Sequence, residues 1–221
     1  MIYKIYNALI KKYNYTNIKI MNKYYLNSII QKKNVINKGT GAGGCNTNKT
    51  GLPFECKTEL LNSSNIKTLR IFNKTLEEDN IIYPKNTKII EMNGKQYISG
   101  TKSGLKKFAE ANNQYNNTIT ALHGTKEPDE WYLNYNNDLY IIEKKFQQDS
   151  GSVCEKLQTA YVKKEHYKIK YPNYNINYIY CLSNWFKDNC KGELILLKYW
   201  GIPVYWGEKD NYIEQIINDM K

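Results

Sequence analysis

Residues 138–148 read DLYIIEKKFQQ. Leu139, Tyr140, Ile141 and Ile142 make the kind of short apolar run that a sheet buries. Glu143, Lys144 and Lys145 interrupt it, and Phe146 resumes the apolar pattern. Burying an unpaired charge is costly, so a fold built on this strand must bring partners to its charged end or keep that end for a site. Side chains alternate across a strand. Glu143, Lys145 and Gln147 therefore share one face, and Ile142, Lys144 and Phe146 the other. This strand constrains the whole fold, because whatever covers both of its faces must also accommodate those charges.

The segment just upstream supplies a partner. DEWYLNYNNDLYIIEKKFQ reads as a hairpin, with NYNN as its turn and residues 138–147 as its second strand. Asp129, preceded by Pro128, then stands at the open end of the first strand, beside Glu143 and Lys145. Two carboxylates and an amine converge at one end of a sheet. Neighbouring carboxylates repel each other, and a hard divalent cation relieves that repulsion. Mg²⁺ takes a few carboxylate oxygens, waters and substrate phosphate. Bound there it lowers the pKa of a water and offsets charge on a phosphodiester. A neighbouring lysine orients the water or stabilises the charge of the transition state. The pattern points to metal-dependent phosphodiester hydrolysis.

The rest of the chain reads as follows. TKIIEMNGKQYISG is a hairpin with Asn93-Gly94 as its two-residue turn. Ser103 caps a short helix over TKSGLKKFAEANNQ. Residues 37–51 are a Gly/Asn/Thr loop, and Pro53 opens a helix in PFECKTELLN. Residues 66–82 are ambiguous. Residues 113–128 are loop with a short strand near Ile119. A helix follows in SGSVCEKLQTAYVKKEHYKIK, with Ser152 and Glu155 as its capping box and Val153, Leu157, Ala160 and Tyr161 as its apolar stripe. INYIYCLS is a buried strand, GELILLKYWG a helix closed by Gly201, PVYW a short strand and NYIEQIINDMK a final helix. Alternating strands and helices predict an α/β (α+β) fold, with a central mixed sheet flanked by helices.

Charge divides the chain. The net charge is +11, yet no acid precedes Glu55, and nine lysines lie before it. Residues 1–36 read as a basic helical arm and residues 37–221 as the main domain. An acid-free, tyrosine-rich basic segment suits a polyanion. Arg70 is the sole arginine, so phosphate contacts fall to lysines acting as point charges. Five cysteines without a Cys-x-x-Cys pair, and only two histidines, argue against zinc and against a disulfide framework. Most of the cysteines are expected reduced and buried. His123 and His166 read as surface or satisfied residues. No apolar run reaches membrane-spanning length, and the N-terminus is too broken by Lys and Asn for a signal peptide. The expected location is cytoplasmic, with no membrane partner.

Pro128-Asp129 followed by Glu143-Lys144-Lys145 resembles the PD-(D/E)XK nuclease motif in order, spacing and strand context. Three further features carry the resemblance. Gln147 extends the motif to Glu-x-Lys-x-Gln. GSVCEKLQTAYVKKEHY is similar to a Gly-Ser-Val-Asp-Glu-Lys segment that follows the catalytic strand in a group of type II restriction endonucleases. KGTGAGGCNTNKTGLPFE is similar to a Gly-rich, Asn-Thr-Asn, Phe-Glu segment of the same group. The resemblance spans roughly residues 38–190. One departure is Cys154, which stands where that segment carries an Asp.

The resemblance implies a PD-(D/E)XK core and cleavage of double-stranded DNA at a short palindromic site. It implies Mg²⁺ as cofactor, with Mn²⁺ as a substitute. Asp129, Glu143 and the Lys144 backbone carbonyl would ligate the metal, with Glu55 as a further ligand. Lys145 would be the catalytic lysine, and Gln147 would assist the water or the scissile phosphate. Lys156 would touch phosphate. Asn46, Asn48 and Lys49 in the Gly-rich segment, and Lys32 and Lys33 in the arm, are candidate DNA contacts. A two-fold DNA site implies a homodimer, and a companion DNA methyltransferase would act on the same site. Two alternatives keep the same residues: a structure-selective repair or recombination nuclease, and a DNA-binding domain without catalysis.

Deleting residues 1–33 is expected to weaken DNA binding and flatten its dependence on salt, because lysines that neutralise phosphates release counterions. A titration of Kd against salt concentration measures this. An unchanged slope would show that the arm's charge does not meet DNA.

Overall fold

The computed structural model describes residues 47–120, 127–148 and 153–220. The basic arm, with Lys32 and Lys33, and Asn46 lie outside them, as does Ser152 of the expected capping box. The first element is helix α1 (Thr47–Lys57), followed by a 3₁₀ turn at Leu60–Asn62. β1 (Ile66–Ile71), β2 (Leu76–Glu78), β3 (Ile81–Tyr83), β4 (Lys88–Met92) and β5 (Lys95–Ser99) lead to helix α2 (Gly104–Ala111). β6 (Glu130–Asn134) and β7 (Asp138–Lys145) come next, then α3 (Val153–Gln158), α4 (Ala160–Lys170) and β8 (Asn175–Leu182). α5 (Trp185–Asn189), α6 (Lys191–Tyr199), β9 (Val204–Trp206) and α7 (Tyr212–Asp219) complete the described chain.

Seven of these strands form one mixed sheet in the order β1-β4-β5-β6-β7-β8-β9, and β2 and β3 pair separately. Neighbours from β1 to β7 are antiparallel, while β7–β8 and β8–β9 are parallel. The parallel half needs crossovers, and α3 with α4, then α5 with α6, supply them. Helices cover both faces. On one, Leu139, Ile141, Tyr178 and Tyr180 pack with Phe108, Leu157, Tyr167 and Phe186. On the other, Tyr140, Ile142, Ile179 and Cys181 pack with Phe54, Leu60 and Ile216. Covered on both sides, β7 is buried along nearly its whole length, which explains its unbroken apolar start.

Turn chemistry sets the registers. Met92 pairs with Lys95 around Asn93-Gly94, whose φ values of 49° and 72° are the left-handed conformation this hairpin turn requires. In the β6–β7 turn the Asn134 side-chain oxygen accepts from the Asn136 and Asp138 amides, at 2.9 Å each, and Asn137 adopts φ 63°. Glu130 then pairs with Ile142 and Leu133 with Leu139. The ambiguous stretch 66–82 resolves into β1 and a hairpin turning at Asp79-Asn80, both at positive φ (51° and 64°).

Several expectations need correction. α1 begins at Thr47, so 47–51 is not loop and Pro53 lies inside the helix rather than at its start. A proline removes only its own N–H and crowds the turn before it, and the turn after it packs, burying Phe54 and Thr58. β7 ends at Lys145, not at residue 147. The helix expected after Gly151 is two helices meeting at Thr159, and Tyr161 is exposed rather than part of the apolar stripe. Ser103 precedes α2 but makes no side-chain cap. Residues 113–120 hold no strand. Cys154 on α3 is disulfide-bonded to Cys190 at the α5–α6 junction, while Cys181 is buried and Cys56 exposed. Sequence spacing could not show that pair, because the fold alone brings together positions 36 residues apart.

Gly207, just past β9, sits where α1 meets the sheet. A Cβ there would lie 2.7 Å from Phe54 Cζ and Thr58 Cγ2 and 2.9 Å from Cys181 Sγ. Gly207→Ala is therefore expected to destabilise the domain by about 1–3 kcal/mol through overpacking, read as a fall in the denaturant midpoint. An unchanged midpoint would contradict this packing of α1.

Candidate functional site

The register of β6 on β7 places Asp129, one residue before β6, across from Glu143. The link is direct: the Lys144 amide donates to Asp129 Oδ2 at 2.8 Å. Strand alternation then separates the two lysines. Lys145 Nζ lies 2.7 Å from Glu143 Oε1, 2.9 Å from the Lys144 carbonyl oxygen and 3.9 Å from Asp129 Oδ2. One ammonium therefore stands at the focus of the three oxygens that the sequence nominates as metal ligands. Asp129 and Glu143 are largely buried, at 16% and 8% side-chain exposure.

Lys144 points the other way. It is 3% exposed, forms an ion pair with Glu130 and donates to the Glu55 carbonyl oxygen at 2.9 Å. Glu130 Oε2 also accepts from the Leu60 amide at 3.1 Å and from the Tyr132 hydroxyl. Burial pushes the Glu130 carboxyl above its ordinary range, while the Lys144 ammonium, Tyr132 and the Leu60 amide pull it back. This buried network fastens α1 and the 3₁₀ turn to the hairpin beneath the site. Glu55 thereby reaches the site from α1. Its Oε2 lies 2.6 Å from Lys102 Nζ, which also lies 3.0 Å from Asp129 Oδ1.

Two lysines escaped the sequence reading. Lys102 follows β5, and the β5–β6 pairing Ser99↔Tyr132 brings it to Asp129. Burial lowers its pKa, but hydrogen bonds and charge from Glu55 and Asp129 outweigh that and raise it, so it is a cation. Lys163, in the first turn of α4, lies 3.0 Å from Glu143 Oε1 with a 14% exposed side chain. Its position three residues after buried Ala160 and four before buried Tyr167 was the legible signal, a lysine on an otherwise apolar stripe. Three carboxylates and three ammonium groups thus share the site: Glu55, Asp129 and Glu143 with Lys102, Lys145 and Lys163. Behind Glu143, burial and then its charge push the Tyr167, Tyr178 and Tyr180 hydroxyls upward, so they stay protonated.

The other sequence candidates divide. Gln147 lies beyond the end of β7, so alternation does not place it with Lys145. Its amide donates to Ser183 Oγ at 3.1 Å, and its carbonyl accepts from that hydroxyl at 3.0 Å. Lys156 is exposed on α3. Asn48 and Lys49 lie on α1, and their side chains fall outside the described residues, as do His123 and Asn46. His166 is buried on α4, where burial and the charge of Lys170 lower its pKa.

A cleft of about 360 Å³ opens beside the site, lined by Glu55, Lys102, Asp129, Thr101 and Leu52 among others. The atoms around the Lys145 and Lys102 ammonium groups are carboxylate or carbonyl oxygens. That hard set suits Mg²⁺ or Mn²⁺ and not a thiophilic ion. Among the described residues, Cys154, Cys190 and Glu193 also cluster, but the two sulfurs are joined to each other and hold no free thiolate. No helix among the described residues is long and apolar enough to cross a membrane.

Lys144→Met should cost about 3–5 kcal/mol, because it strands Glu130 as an unpaired buried charge. Adding Glu130→Gln should restore most of the loss, since an amide oxygen still accepts from Leu60 and Tyr132. Denaturant melts of the two single variants and the double variant measure the coupling, and additive losses would contradict it. Compared with protein-family models, with curated proteins and with solved structures, the chain matches none.

Proposed function

We propose that this chain is a metal-dependent endonuclease of the PD-(D/E)XK type, acting as a type II restriction enzyme on double-stranded DNA. One observation carries the reading. Asp129, Glu143 and the Lys144 carbonyl, nominated from the motif, are turned toward a single cationic group, the Lys145 ammonium. Oxygens that already hold one cation between them are suited to hold another. Mg²⁺, or Mn²⁺ in its place, would be held by Asp129, Glu143 and the Lys144 carbonyl, with Glu55 adjoining. When bound it supplies Lewis-acid charge for a phosphodiester oxygen and acidifies a water.

The chain's own groups divide the remaining work. Lys145, 23% exposed, leaves its carboxylate for the scissile phosphate, where its N–H groups stabilise the charge that develops in the transition state. Lys163 donates to the same Glu143 oxygen that Lys145 holds and so fixes the orientation of that carboxylate. The Lys144–Glu130 pair holds the frame still, so that little reorganisation accompanies reaction. Lysines of the N-terminal arm would supply sequence-independent attraction to the backbone, and a two-fold site would call for a homodimer.

Digestion of mixed-sequence plasmid DNA with Mg²⁺, against an EDTA control, tests the reading. Discrete fragments whose ends share one sequence are expected. Glu143→Ala and Lys145→Ala should each lower cleavage by at least about a thousandfold while DNA binding persists in a gel-shift assay. A smear, or cutting only at junctions and flaps, would favour a structure-selective nuclease. Binding without cleavage in the wild type would favour a DNA-binding domain. Retained cleavage in either variant would contradict the site assignment.

A further inference from the structure

The Glu55–Asp129 side of the site holds an ammonium group that the motif does not explain. Lys102 Nζ lies 2.6 Å from Glu55 Oε2 and 3.0 Å from Asp129 Oδ1. Its three contributors come from separate places in the chain: α1, the link from β5 to α2, and the residue before β6. Asp129 is divided between two ammonium groups, with Oδ1 toward Lys102 and Oδ2 toward the Lys144 amide and Lys145.

We propose that Lys102 is a competing cation for the Glu55–Asp129 carboxylate pair, holding their facing oxygens until a divalent ion displaces it, and so sets the metal concentration at which the site fills. This rests on the metal-binding reading above.

Three physical points support it. First, the positions conflict. A divalent ion that takes Glu55 as its adjoining ligand beside Asp129 would need the carboxylate oxygens that Lys102 Nζ holds, so the two cations compete for them by contact and by charge. Second, Lys102 is the member able to leave. Its side chain is 47% exposed, against 23% for Lys145 and 14% for Lys163, so withdrawal into water costs it little desolvation energy. Third, there is room for the move, because the cleft of about 360 Å³ is lined by Lys102 itself. Without Lys102, the facing carboxylates would repel each other. With it, the domain folds with those charges compensated before metal arrives.

Mn²⁺ binding to the full-length protein, followed by isothermal titration calorimetry, tests the proposal with Lys102→Gln, Lys102→Arg and Asp129→Asn. Lys102→Gln removes the competing charge and should bind Mn²⁺ about tenfold more tightly than wild type. Lys102→Arg, whose fork can hold both carboxylates at once, should bind it more weakly. Asp129→Asn should lose the site. Equal or weaker binding by Lys102→Gln, with the site still lost in Asp129→Asn, would overturn the role of Lys102 and leave the metal reading intact. Asp129→Asn binding like wild type would overturn the metal reading, and the role of Lys102 with it. A rise in affinity in both Lys102 variants would show that removing the lysine loosens the pair without competition, and would also overturn the proposal.

Discussion

The buried pair of Lys144 and Glu130 holds the rest of this structure in register. Lys144 gives its amide to Asp129, its ammonium to Glu130 and to the Glu55 carbonyl, and its carbonyl to Lys145. A slip of β7 by one residue would exchange the faces of Lys144 and Lys145. The inner lysine would lose its carboxylate, and the outer one would be driven toward Cys181 and Phe54. Pairing β6 with β7 in any other register is therefore strongly disfavoured. The same residues that close the core also set the separation of Asp129 and Glu143.

Strand alternation divides two identical side chains into different tasks. Lys144 is dry, has its side-chain partners on β6 and α1 and serves the frame. Lys145 is partly wet, rests on a carboxylate and a carbonyl, and can be released. The surrounding charges balance, three carboxylates against three ammonium groups, so each carboxylate of the cluster has a cationic partner. On the proposed function, a phosphodiester would bring negative charge to a place where lysines can turn from carboxylate to phosphate. That exchange of partners would give a chemical sense to three charges on a strand that the core otherwise buries.

Much of this was legible along the chain because the signals are local. Asn93-Gly94 and the Asn-rich turn at 134–137 fix two hairpins, the apolar runs of β7 and β8 mark the sheet's centre, and Gly201 ends α6 at φ 61°. From the hairpin alone, Asp129 could be set beside Glu143 and Lys145. What remained hidden depends on contacts between distant segments. Lys102 reaches Asp129 only through the β5–β6 pairing, and Cys154 reaches Cys190 only once α3 packs on α6. The Asp79-Asn80 turn lacked the glycine that usually signals positive φ, and so passed as ambiguous. Pro53 suggested a helix start because its fixed φ suits one, although the helix begins a turn and a half earlier. The strand expected to run to residue 147 ends at Lys145, and the Gln147 backbone pairs with Ser183 instead.

The central claim is that the oxygens of Asp129, Glu143 and the Lys144 carbonyl form a divalent-metal site at the end of β7. The most direct measurement is an anomalous difference map from crystals of the protein soaked in Mn²⁺. The account predicts a peak about 2.0–2.5 Å from those three oxygens, with Lys145 Nζ withdrawn from Glu143. A map with no peak there and Lys145 still seated on Glu143, or with its only peak at Glu193 beside the Cys154–Cys190 disulfide, would contradict it.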